Sequence, residues 1–484
     1  LMYECCLHTF RIFLLRLGWV GEASDCWYEP VPGVTSRLEC RGQVLATTKK
    51  ALYEIVVKEI GYQADTGMPY ALADAFMYAD GKRIIHIHNM SIRMGGVSRE
   101  GIKQLWSAPG AAAAGMPGGG SREKKAIFDN ASITAFATGK PSGAFGEKYK
   151  VFDSERVIAR LPGPPYKFLD RIVRIENCRQ WELAAGGSIE AEYDVPPDEW
   201  YFRSGGQKSM PFAVLLEVAL QPCGWLAAYL GSALTSPVDL SFRNLGGTAV
   251  QYAEVFPDAG MLTTRVKITK VSQSGGMIIQ DYDMEVLCKG RTVYKGVTQF
   301  GFFSKKSLSE QLGVRGAQRY LPGPEEAARG VPAALSAHPA LPDEKLLMLD
   351  AVETYIPGGG PQREGFLRGI KKVNPAEWFF KAHFYQDPVC PGSLGLESFI
   401  NLMKAAAALR WPGLPQGSRF EAMALNEKHQ WVYRGQVVPG NKLVTVEAYI
   451  TGADDARRQL RADGFLLVDG LVIYQMKDFT VKIA

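Results

Sequence analysis

The stretch that decides the fold runs from Trp378 to Trp411 and reads WFFKAHFYQDPVCPGSLGLESFINLMKAAAALRW. Its aromatic opening, up to Phe380, suits the pleated surface of a half-buried strand. The segment DPVCPG predicts a loop, because proline presets φ and glycine accepts a positive φ. From Leu394 onward, apolar residues recur at helical spacing. The sequence therefore predicts a strand, a tight turn and a long helix, in that order.

This segment contains one histidine, His383, and one carboxylate, Glu397, which lies fourteen positions later inside the apolar helix. Burial raises the pKa of a carboxyl group, so such a group can remain protonated as an acid beside a neutral histidine base. Most histidines and glutamates are structural or solvated. The placement of these two nevertheless favours acid–base chemistry.

The motif HFYQDPVCPGSLGLE, from His383 to Glu397, resembles the active-site segment of the β-hydroxyacyl-thiolester dehydratase/isomerase family. It is most similar to the paired dehydratase domains of polyunsaturated fatty acid synthases. That family usually has aspartate at the position of Glu397, so this chain departs from it conservatively. The resemblance covers most of the chain. It implies the hotdog fold, an α+β architecture in which an antiparallel sheet wraps a long central helix.

The same unit occurs three times along the chain. Each copy has a long apolar helix with a glutamate near its start, and alternating strands follow the helix. The second and third copies also share a front half, PYKFLDRIVRIE (165–176) and KLLMLDAVETYI (345–356), which the first copy lacks. One helix and about five strands cannot cover both faces of a sheet. We therefore expect copies two and three to form a double hotdog.

These repeats and the breakers between them predict five segments. Leu1 lies inside an apolar helical pattern without an initiator methionine or signal-peptide architecture, so we interpret the chain as part of a larger polypeptide. The predicted helices are near 3–18, 213–232 and 394–410. The predicted boundaries are 1–105 for the truncated C-terminal part of a preceding hotdog, 106–150 for a linker, 151–304 for a hotdog that lacks the histidine but has the acid, 305–342 for a second linker, and 343–484 for the hotdog with the histidine.

In the resembled family, the histidine of one hotdog works with the acid of its partner hotdog. Copy two has Gly205 at the position of His383 and contains no histidine. The resemblance therefore implies that His383 faces Glu217. Gln221, one helical turn after Glu217, would orient the acid or the substrate. Gly392 would direct its N–H at a thioester carbonyl, as helix N-termini do for developing negative charge.

The other glutamates have weaker predicted roles. Glu397 would face the Gly205 region and lack a base, so we expect a non-productive counterpart. A same-copy pairing of His383 with Glu397 remains the alternative. Glu4 and His8 share a helix face and are expected to be an orphan half-site.

The resemblance implies dehydration of 3-hydroxyacyl thioesters to trans-2-enoyl thioesters in long-chain polyunsaturated fatty acid biosynthesis. The substrate would be carried on the phosphopantetheine of an acyl carrier protein within a multienzyme synthase, and no further cofactor is expected. The alternatives are a hotdog acyl thioesterase and a non-catalytic acyl-binding or scaffold module, against which the retained His383 argues.

The sequence leaves four properties open. They are the acyl chain length, trans-2 to cis-3 isomerisation, the oligomeric state (a homodimer is one option) and the region before Leu1.

Composition excludes several other classes. The formal net charge of +5 over 484 residues, without a basic tract, argues against a nucleic-acid partner. No GxGxxG follows a predicted strand and no P-loop occurs, so a nucleotide cofactor is not expected. The stretch 213–234 is long enough to cross a membrane, but Glu217, Gln221 and Pro222 interrupt it, which favours a core helix.

The remaining metal-binding and nucleophilic side chains predict no further site. The eight cysteines form no CxxC pair and are interpreted as reduced, buried thiols of a cytoplasmic protein. Among them, Cys390 has no base spaced to activate it and is interpreted as a packing thiol. His86 and His88 alternate on a predicted strand, which could suggest a metal site, but we expect no third ligand nearby. We therefore interpret them as surface histidines and predict no metal site.

Overall fold

The computed structural model describes residues 2–16, 19, 27–99, 125–204, 208–333, 342, 345–413 and 418–484. The chain divides into two compact units, residues 1–122 and 123–484. Residues 106–124 of the predicted linker and Gly205 lie outside the described residues.

The smaller unit packs one helix on a five-stranded antiparallel sheet. Its elements are α1 (Met2–Arg16), β1 (Trp27–Glu29), β2 (Arg37–Cys40), β3 (Ala51–Tyr62), β4 (Pro69–Ala79) and β5 (Lys82–Gly95). The strand order is β1-β5-β4-β3, and β2 also pairs with β5. Buried and partly buried residues alternate along β4 because successive side chains point to opposite faces. The buried face packs with Cys6, Phe10 and Leu14 of α1.

Within its described residues, this unit lacks the two front strands of the other copies, as the repeat comparison predicted. Its edge strand β3 exposes the apolar side chains of Leu52, Val56 and Ile60.

Copy two begins the larger unit. Three short helices precede its strands, and one more precedes its long helix. The elements are α2 (Asn130–Ala137), α3 (Ser142–Phe145), α4 (Val151–Ser154), β6 (Arg171–Glu176), β7 (Ser188–Asp194), α5 (Trp200–Arg203), α6 (Phe212–Tyr229), β8 (Ser241–Gln251), β9 (Met261–Ser274), β10 (Met277–Cys288) and β11 (Arg291–Phe303).

Copy three repeats this order with one additional edge strand. Its elements are α7 (Lys305–Ser309), α8 (Pro324–Ala327), β12 (Val331–Ala333), β13 (Ala351–Ile356), β14 (Phe366–Lys372), α9 (Trp378–Ala382), α10 (Gly392–Arg410), β15 (Lys428–Tyr433), β16 (Leu443–Asp454), β17 (Gln459–Val468) and β18 (Leu471–Lys482).

The two copies share one 13-stranded sheet that is joined where β8 pairs with β15. Read outward from this junction, copy two runs β8-β11-β10-β9-β7-β6 and copy three runs β15-β18-β17-β16-β14-β13. The helices α6 and α10 contact each other, and each packs on strands of its own copy. The double hotdog predicted from the repeats is therefore confirmed.

Helix α6 is buried on almost every side. It is long and apolar enough to cross a membrane, and 89% of its 18-residue window is buried inside the protein, which is typical of a core helix. Pro222 lies inside this helix and cannot donate to the carbonyl of Val218. The hydroxyl of Thr264 donates to that carbonyl instead, at 3.1 Å, so the buried acceptor is satisfied.

The predicted strand at Trp378–Phe380 is wrong, because this segment forms the one-turn helix α9. A strand would send Phe379 and Phe380 to opposite faces, whereas the helix lets both side chains enter the core. Trp378 packs edge-on against Trp200 of the equivalent helix α5, with ring centroids 5.6 Å apart. Tertiary aromatic packing therefore overrides the local strand preference.

The segment 125–150, predicted as part of a linker, also belongs to the fold. Phe136, Phe145 and Tyr149 are fully buried in the same core as α6 and α10. In the second predicted linker, 305–342, β12 pairs with β13 and extends the sheet edge. Glycine, serine and lysine separate the apolar residues of residues 125–150, so the helical pattern is weak in sequence.

Candidate active site

A cleft at the junction of the two hotdogs brings the predicted site residues together. Its empty volume, including the open mouth, is about 840 Å³. His383, Glu217, Gln221 and Gly392 all line this junction cleft, whereas Glu397 does not. The side chains come from both copies, so neither hotdog forms this site alone.

His383 ends α9 and begins the loop that leads to α10. Its backbone N–H donates to Phe379 O at 2.8 Å, and its carbonyl accepts from Val389 N–H at 2.9 Å. The ring atom Nδ1 lies 3.1 Å from Val389 O. Because a carbonyl only accepts, Nδ1 carries the proton and Nε2 keeps its lone pair. Burial lowers the pKa of His383 to about 3, so the ring is a neutral base.

An ion pair between the two copies holds the loop that follows His383. Arg243 on β8 contacts Asp387 through two nitrogens, each 2.9 Å from a carboxylate oxygen. Arg243 also donates to Gln436 Oε1 at 2.7 Å. Burial opposes ionisation of Asp387, but the Arg243 guanidinium outweighs it and the pKa of Asp387 is lowered. The pair therefore ties the loop to copy two in a fixed geometry.

Glu217 is buried on α6 and accepts two hydrogen bonds. Ser393 Oγ donates to its Oε1 at 2.6 Å, and Gln221 Nε2 donates to its Oε2 at 3.1 Å. Gln221 is held in turn by Tyr166 O, 2.9 Å from its Nε2, and by Phe168 N–H, 2.8 Å from its Oε1. Burial raises the pKa of Glu217, although both hydrogen bonds oppose this effect. The acid form is therefore favoured to a higher pH than in water.

Gly392 and Ser393 are the first residues of α10. Their backbone N–H groups have no acceptor within the helix, because the first turn of any helix leaves its donors unpaired. A Cβ at Gly392 would lie 2.8 Å from the ring of Tyr433, so this position requires glycine. The buried Tyr433 hydroxyl also lines the cleft, and no described residue forms a hydrogen bond with it. Several donors are thus available for a substrate oxygen.

Glu397 occupies the position in copy three that Glu217 occupies in copy two, but its neighbours differ from those of Glu217. Asn401 replaces Gln221 and donates to Glu397 Oε1 at 3.3 Å, while Oε2 has no hydrogen-bond partner within the described part of the chain. Ala213 stands at the position of Ser393, and Phe212 at that of Gly392. Burial raises the pKa of Glu397 and a nearby Lys404 opposes it. The predicted partner region at Gly205 lies outside the described residues, so the non-productive role stays a prediction.

The orphan half-site predicted in copy one is a solvent-exposed pair. His8 Nε2 lies 3.4 Å from Glu4 Oε1, and their side chains are 59% and 50% exposed. The geometry shows an i, i+4 contact on α1, and the catalytic interpretation stays a prediction.

The cysteines described are free, and Cys6, Cys223 and Cys390 are buried. Burial raises the pKa of Cys390 to about 12, so it remains a thiol and fits the packing role predicted for it. Cys40 is exposed, so the expectation of uniformly buried thiols is wrong for that residue.

Sequence reasoning missed Ser393, Tyr433 and the Arg243–Asp387 pair. The signal for Ser393 was visible in the repeat alignment, where PGSLGLE of copy three aligns with PFAVLLE of copy two. Tyr433 opens YRGQV, which recurs as CRGQV in copy one and marks a segment of interest. The ion pair had no local signal, because 144 residues separate its members.

Outside the cleft, one expectation about metal ligands is wrong. His86 and His88 were expected to have no third ligand nearby, but Glu39 on the paired strand β2 lies within 4.8 Å of both. Strand pairing supplies a neighbour that is distant in sequence.

The FabA-like domain model matches residues 161–297 and 341–477, which together make up more than half of the chain. With the double hotdog and the His–Glu cleft in place, this match identifies the chain as a member of the FabA-like family. Its two matched segments correspond to the two copies that form the larger unit.

One curated relative is a component of the polyunsaturated fatty acid synthase of Thraustochytrium sp., 30% identical over 325 residues that cover 62% of this chain. The match spans 22% of that relative's length.

Solved structures with detectable similarity include dehydratase domains and a thioesterase. The dehydratase domain of RzxB from Pseudomonas fluorescens is 10% identical, covers 63% of this chain and 96% of its own, and has a TM-score of 0.38. The dehydratase domain of the CurJ module of curacin polyketide synthase is 15% identical, with coverages of 65% and 96% and a TM-score of 0.37. A protein classed as an oleoyl thioesterase from Lactobacillus plantarum is 11% identical, with coverages of 62% and 97% and a TM-score of 0.36.

Proposed function

We propose that the larger unit dehydrates 3-hydroxyacyl thioesters to trans-2-enoyl thioesters, with His383 as the base and Glu217 as the acid. The observation that carries this proposal is their shared cleft at the junction of the two hotdogs. Burial favours the neutral form of both groups, which is the protonation state needed by a base–acid pair before elimination.

The first step is removal of the α-proton of the substrate by His383 Nε2. The hydrogen bond of Nδ1 to Val389 O holds the tautomer in which Nε2 has a free lone pair. The electrons of the C–H bond move toward the thioester carbonyl and create negative charge on its oxygen. We assign Gly392 N–H at the start of α10 as the donor that stabilises this charge, because it is unpaired within the helix.

The second step is loss of the β-hydroxyl. Glu217 gives its proton to the departing oxygen, so water leaves and a double bond forms between the α and β carbons. Gln221 acts as a positioning residue, because it anchors Glu217 to the backbone at Tyr166 and Phe168. His383 is then protonated and Glu217 is a carboxylate, and proton exchange with water restores both groups.

The apolar end of the junction cleft fits a fatty acyl chain. Leu161, Leu220, Phe242 and Phe300 line it next to Gly224 of α6. A second, much smaller pocket shares Gly224 and Phe242 with the cleft and is also lined by Ala228 and Ala233. Since Gly224 lies two helical turns after Glu217 and Ala228 one turn after Gly224, the three share one face of α6, and we propose that the acyl chain extends along this face.

The wider context of the reaction is also part of the proposal. The similarity to a component of a polyunsaturated fatty acid synthase supports a substrate carried on the phosphopantetheine of an acyl carrier protein, within a multienzyme synthase. The free thiols of the described cysteines fit a reducing compartment such as the cytoplasm.

The decisive experiment incubates the chain with short and long 3-hydroxyacyl thioesters on an acyl carrier protein and identifies the products by mass spectrometry. We expect loss of one water and retention of the thioester, with turnover that falls by orders of magnitude in His383→Ala. Release of free acid would identify a thioesterase. Thioester binding without turnover would identify a non-catalytic acyl-binding module, and the position of the double bond would report on isomerisation.

A further inference from the structure

The outer sheet face of the smaller unit gathers four side chains of the kinds that bind metals. His86 and His88 are two positions apart on β5 and therefore lie on the same face. Glu39 on β2 stands directly opposite His86 in the strand pairing. Asp74 comes from β4, the neighbour of β5 on the other side. Three adjacent strands thus contribute to one cluster.

The distances within this cluster suit a single cation. One ligand atom from each of Glu39, His86 and His88 lies within 4.8 Å of the others. His88 Nε2 is 3.3 Å from Glu39 Oε1, and His86 Nε2 is 3.9 Å from Asp74 Oδ2. Ligands about 2.0–2.1 Å from a tetrahedral Zn²⁺ are separated by distances of this order. Binding therefore requires side-chain adjustments and no rearrangement of the sheet.

A second observation is that one polar atom of the cluster is buried without a hydrogen bond. His86 Nε2 is buried and has no hydrogen-bond partner among the residues that the structure describes. Its ring centroid is 3.5 Å from that of His88, so charging both rings would place two cations in contact. A metal ion binds neutral imidazole through its lone pair and would satisfy His86 without creating this repulsion.

We propose that Glu39, His86 and His88 form a transition-metal site for Zn²⁺, and that Asp74, whose Oδ2 lies 3.9 Å from His86 Nε2, moves in as a fourth ligand. Two imidazole nitrogens with carboxylate oxygens favour zinc and its neighbours over Mg²⁺ or Ca²⁺, which prefer oxygen ligands alone. The two carboxylates balance the charge of a divalent ion. A metal ion at this site would link β2, β5 and β4. Its ligands are different residues from those proposed for the dehydration.

The Arg37 side chain contacts two of the proposed ligands, Glu39 and His88, in the structure. It donates to Glu39 Oε1 at 2.8 Å, and its Nη2 lies 3.1 Å from His88 Nε2. The Arg37 side chain is 68% exposed, so it can swing into solvent when a metal replaces it. Lys58 and the backbone N–H of Asn89 contact Asp74 Oδ1, which leaves Oδ2 for a metal.

The test titrates the untagged, chelator-treated chain with Zn²⁺ by calorimetry, and with Co²⁺ by visible absorption. We expect one saturable Zn²⁺ site per chain, the absorption of tetrahedral Co²⁺, and a higher melting temperature with Zn²⁺. His86→Gln and His88→Gln should each lower affinity at least about tenfold, because even outer-shell changes at metal sites reach that size. Arg37→Ala should leave the affinity for Zn²⁺ unchanged or raise it, because the metal replaces this side chain.

Two control variants separate this site from general zinc binding. His8→Gln removes a histidine of the same unit, and Cys40→Ser removes an exposed thiol, which is itself a zinc ligand type. Both should bind Zn²⁺ like the unaltered chain. All variants are compared in chelator, where equal melting temperatures show equal folding. No saturable binding at micromolar Zn²⁺, or undiminished binding by the His86→Gln/His88→Gln double variant, would overturn the proposal.

Discussion

Ser393 Oγ lies 2.6 Å from Glu217 Oε1, so the first turn of the copy-three helix holds the acid of the copy-two helix. Tyr166 extends this contact, because its hydroxyl is 3.0 Å from Ser393 Oγ. Glu397 has no such partner, since Ala213 occupies the equivalent position and offers only backbone. The two similar glutamates therefore differ in environment, and the difference can be tested.

The roles of the glutamates predict unequal effects of substitution. His383→Ala removes the base and should lower turnover by roughly two to four orders of magnitude. Glu217→Gln should have a similar effect, because an amide cannot deliver a full proton. Glu397→Gln, a matched substitution in the equivalent helix, should leave turnover within about tenfold. Dehydration rates of variants with native-like melting transitions check this, and an essential Glu397 with a dispensable Glu217 would support the same-copy alternative.

Ser393 is predicted to set the pKa of the acid. Its hydrogen bond lowers the pKa of Glu217 against the effect of burial, so Ser393→Ala should raise that pKa further. The basic limb of the kcat/KM profile should move to higher pH, with a lower maximum rate from weaker positioning. Ser398→Ala is the control, since that buried hydroxyl donates to Gly395 O on the same helix at 2.6 Å. Equal pH profiles for both variants would exclude this role.

The acid limb of the profile reports on His383. Its pKa of about 3 means that the ring stays neutral well below the ordinary histidine range. Between about pH 7 and pH 5, kcat/KM should therefore not fall through protonation of the base. The measurement is kcat/KM across this range with a stability check at each pH. An apparent pKa near that of free histidine, about 6.5, would show that His383 is solvated in the working enzyme.

Gly224 is predicted to control the length of the acyl chain. A Cβ at this position would lie 3.3 Å from Leu161 Cδ2 and 3.5 Å from Phe242 Cε1, so a larger side chain narrows the passage to the second cavity. Gly224→Leu should reduce kcat/KM for long acyl chains by at least about tenfold more than for four-carbon chains, as expected for overpacking by about 1–3 kcal/mol. An equal loss for all lengths would indicate general damage.

Buried His429 predicts acid sensitivity of folding. Its Nε2 lies 2.9 Å from the Tyr294 hydroxyl, and burial lowers its pKa to about 4. A depressed histidine pKa contributes stability above the unfolded value, near 6.5, and this contribution is lost as pH falls toward 4. His429→Gln cannot titrate, so its unfolding free energy should fall less over this window, by up to about 3 kcal/mol. Parallel curves in denaturant titrations would contradict this.

Local sequence patterns correctly predicted those helices whose apolar spacing is contained in one continuous segment. The helical spacing around Glu217 and Glu397 indicated α6 and α10, and the repeated front halves indicated that their two copies pair. Local patterns failed at Trp378, where packing against Trp200 selects a helix over the favoured strand. They failed again for residues 125–150, whose buried aromatic side chains have no regular spacing.

The sequence by itself determined the repeated helix–strand units, the histidine-bearing turn and the absence of a histidine in copy two, and the resemblance of its motif implied the hotdog fold of those units. These features depend on residue type and on periods of a few residues, which a single segment contains. The sequence left two pairings of His383 open. Tertiary structure alone decided that Glu217, and not Glu397, shares the cleft with His383, that Ser393 hydrogen-bonds Glu217, and that Glu39 lies beside His86. Such contacts join residues far apart in the chain, and strand pairing and helix packing place them within bonding distance.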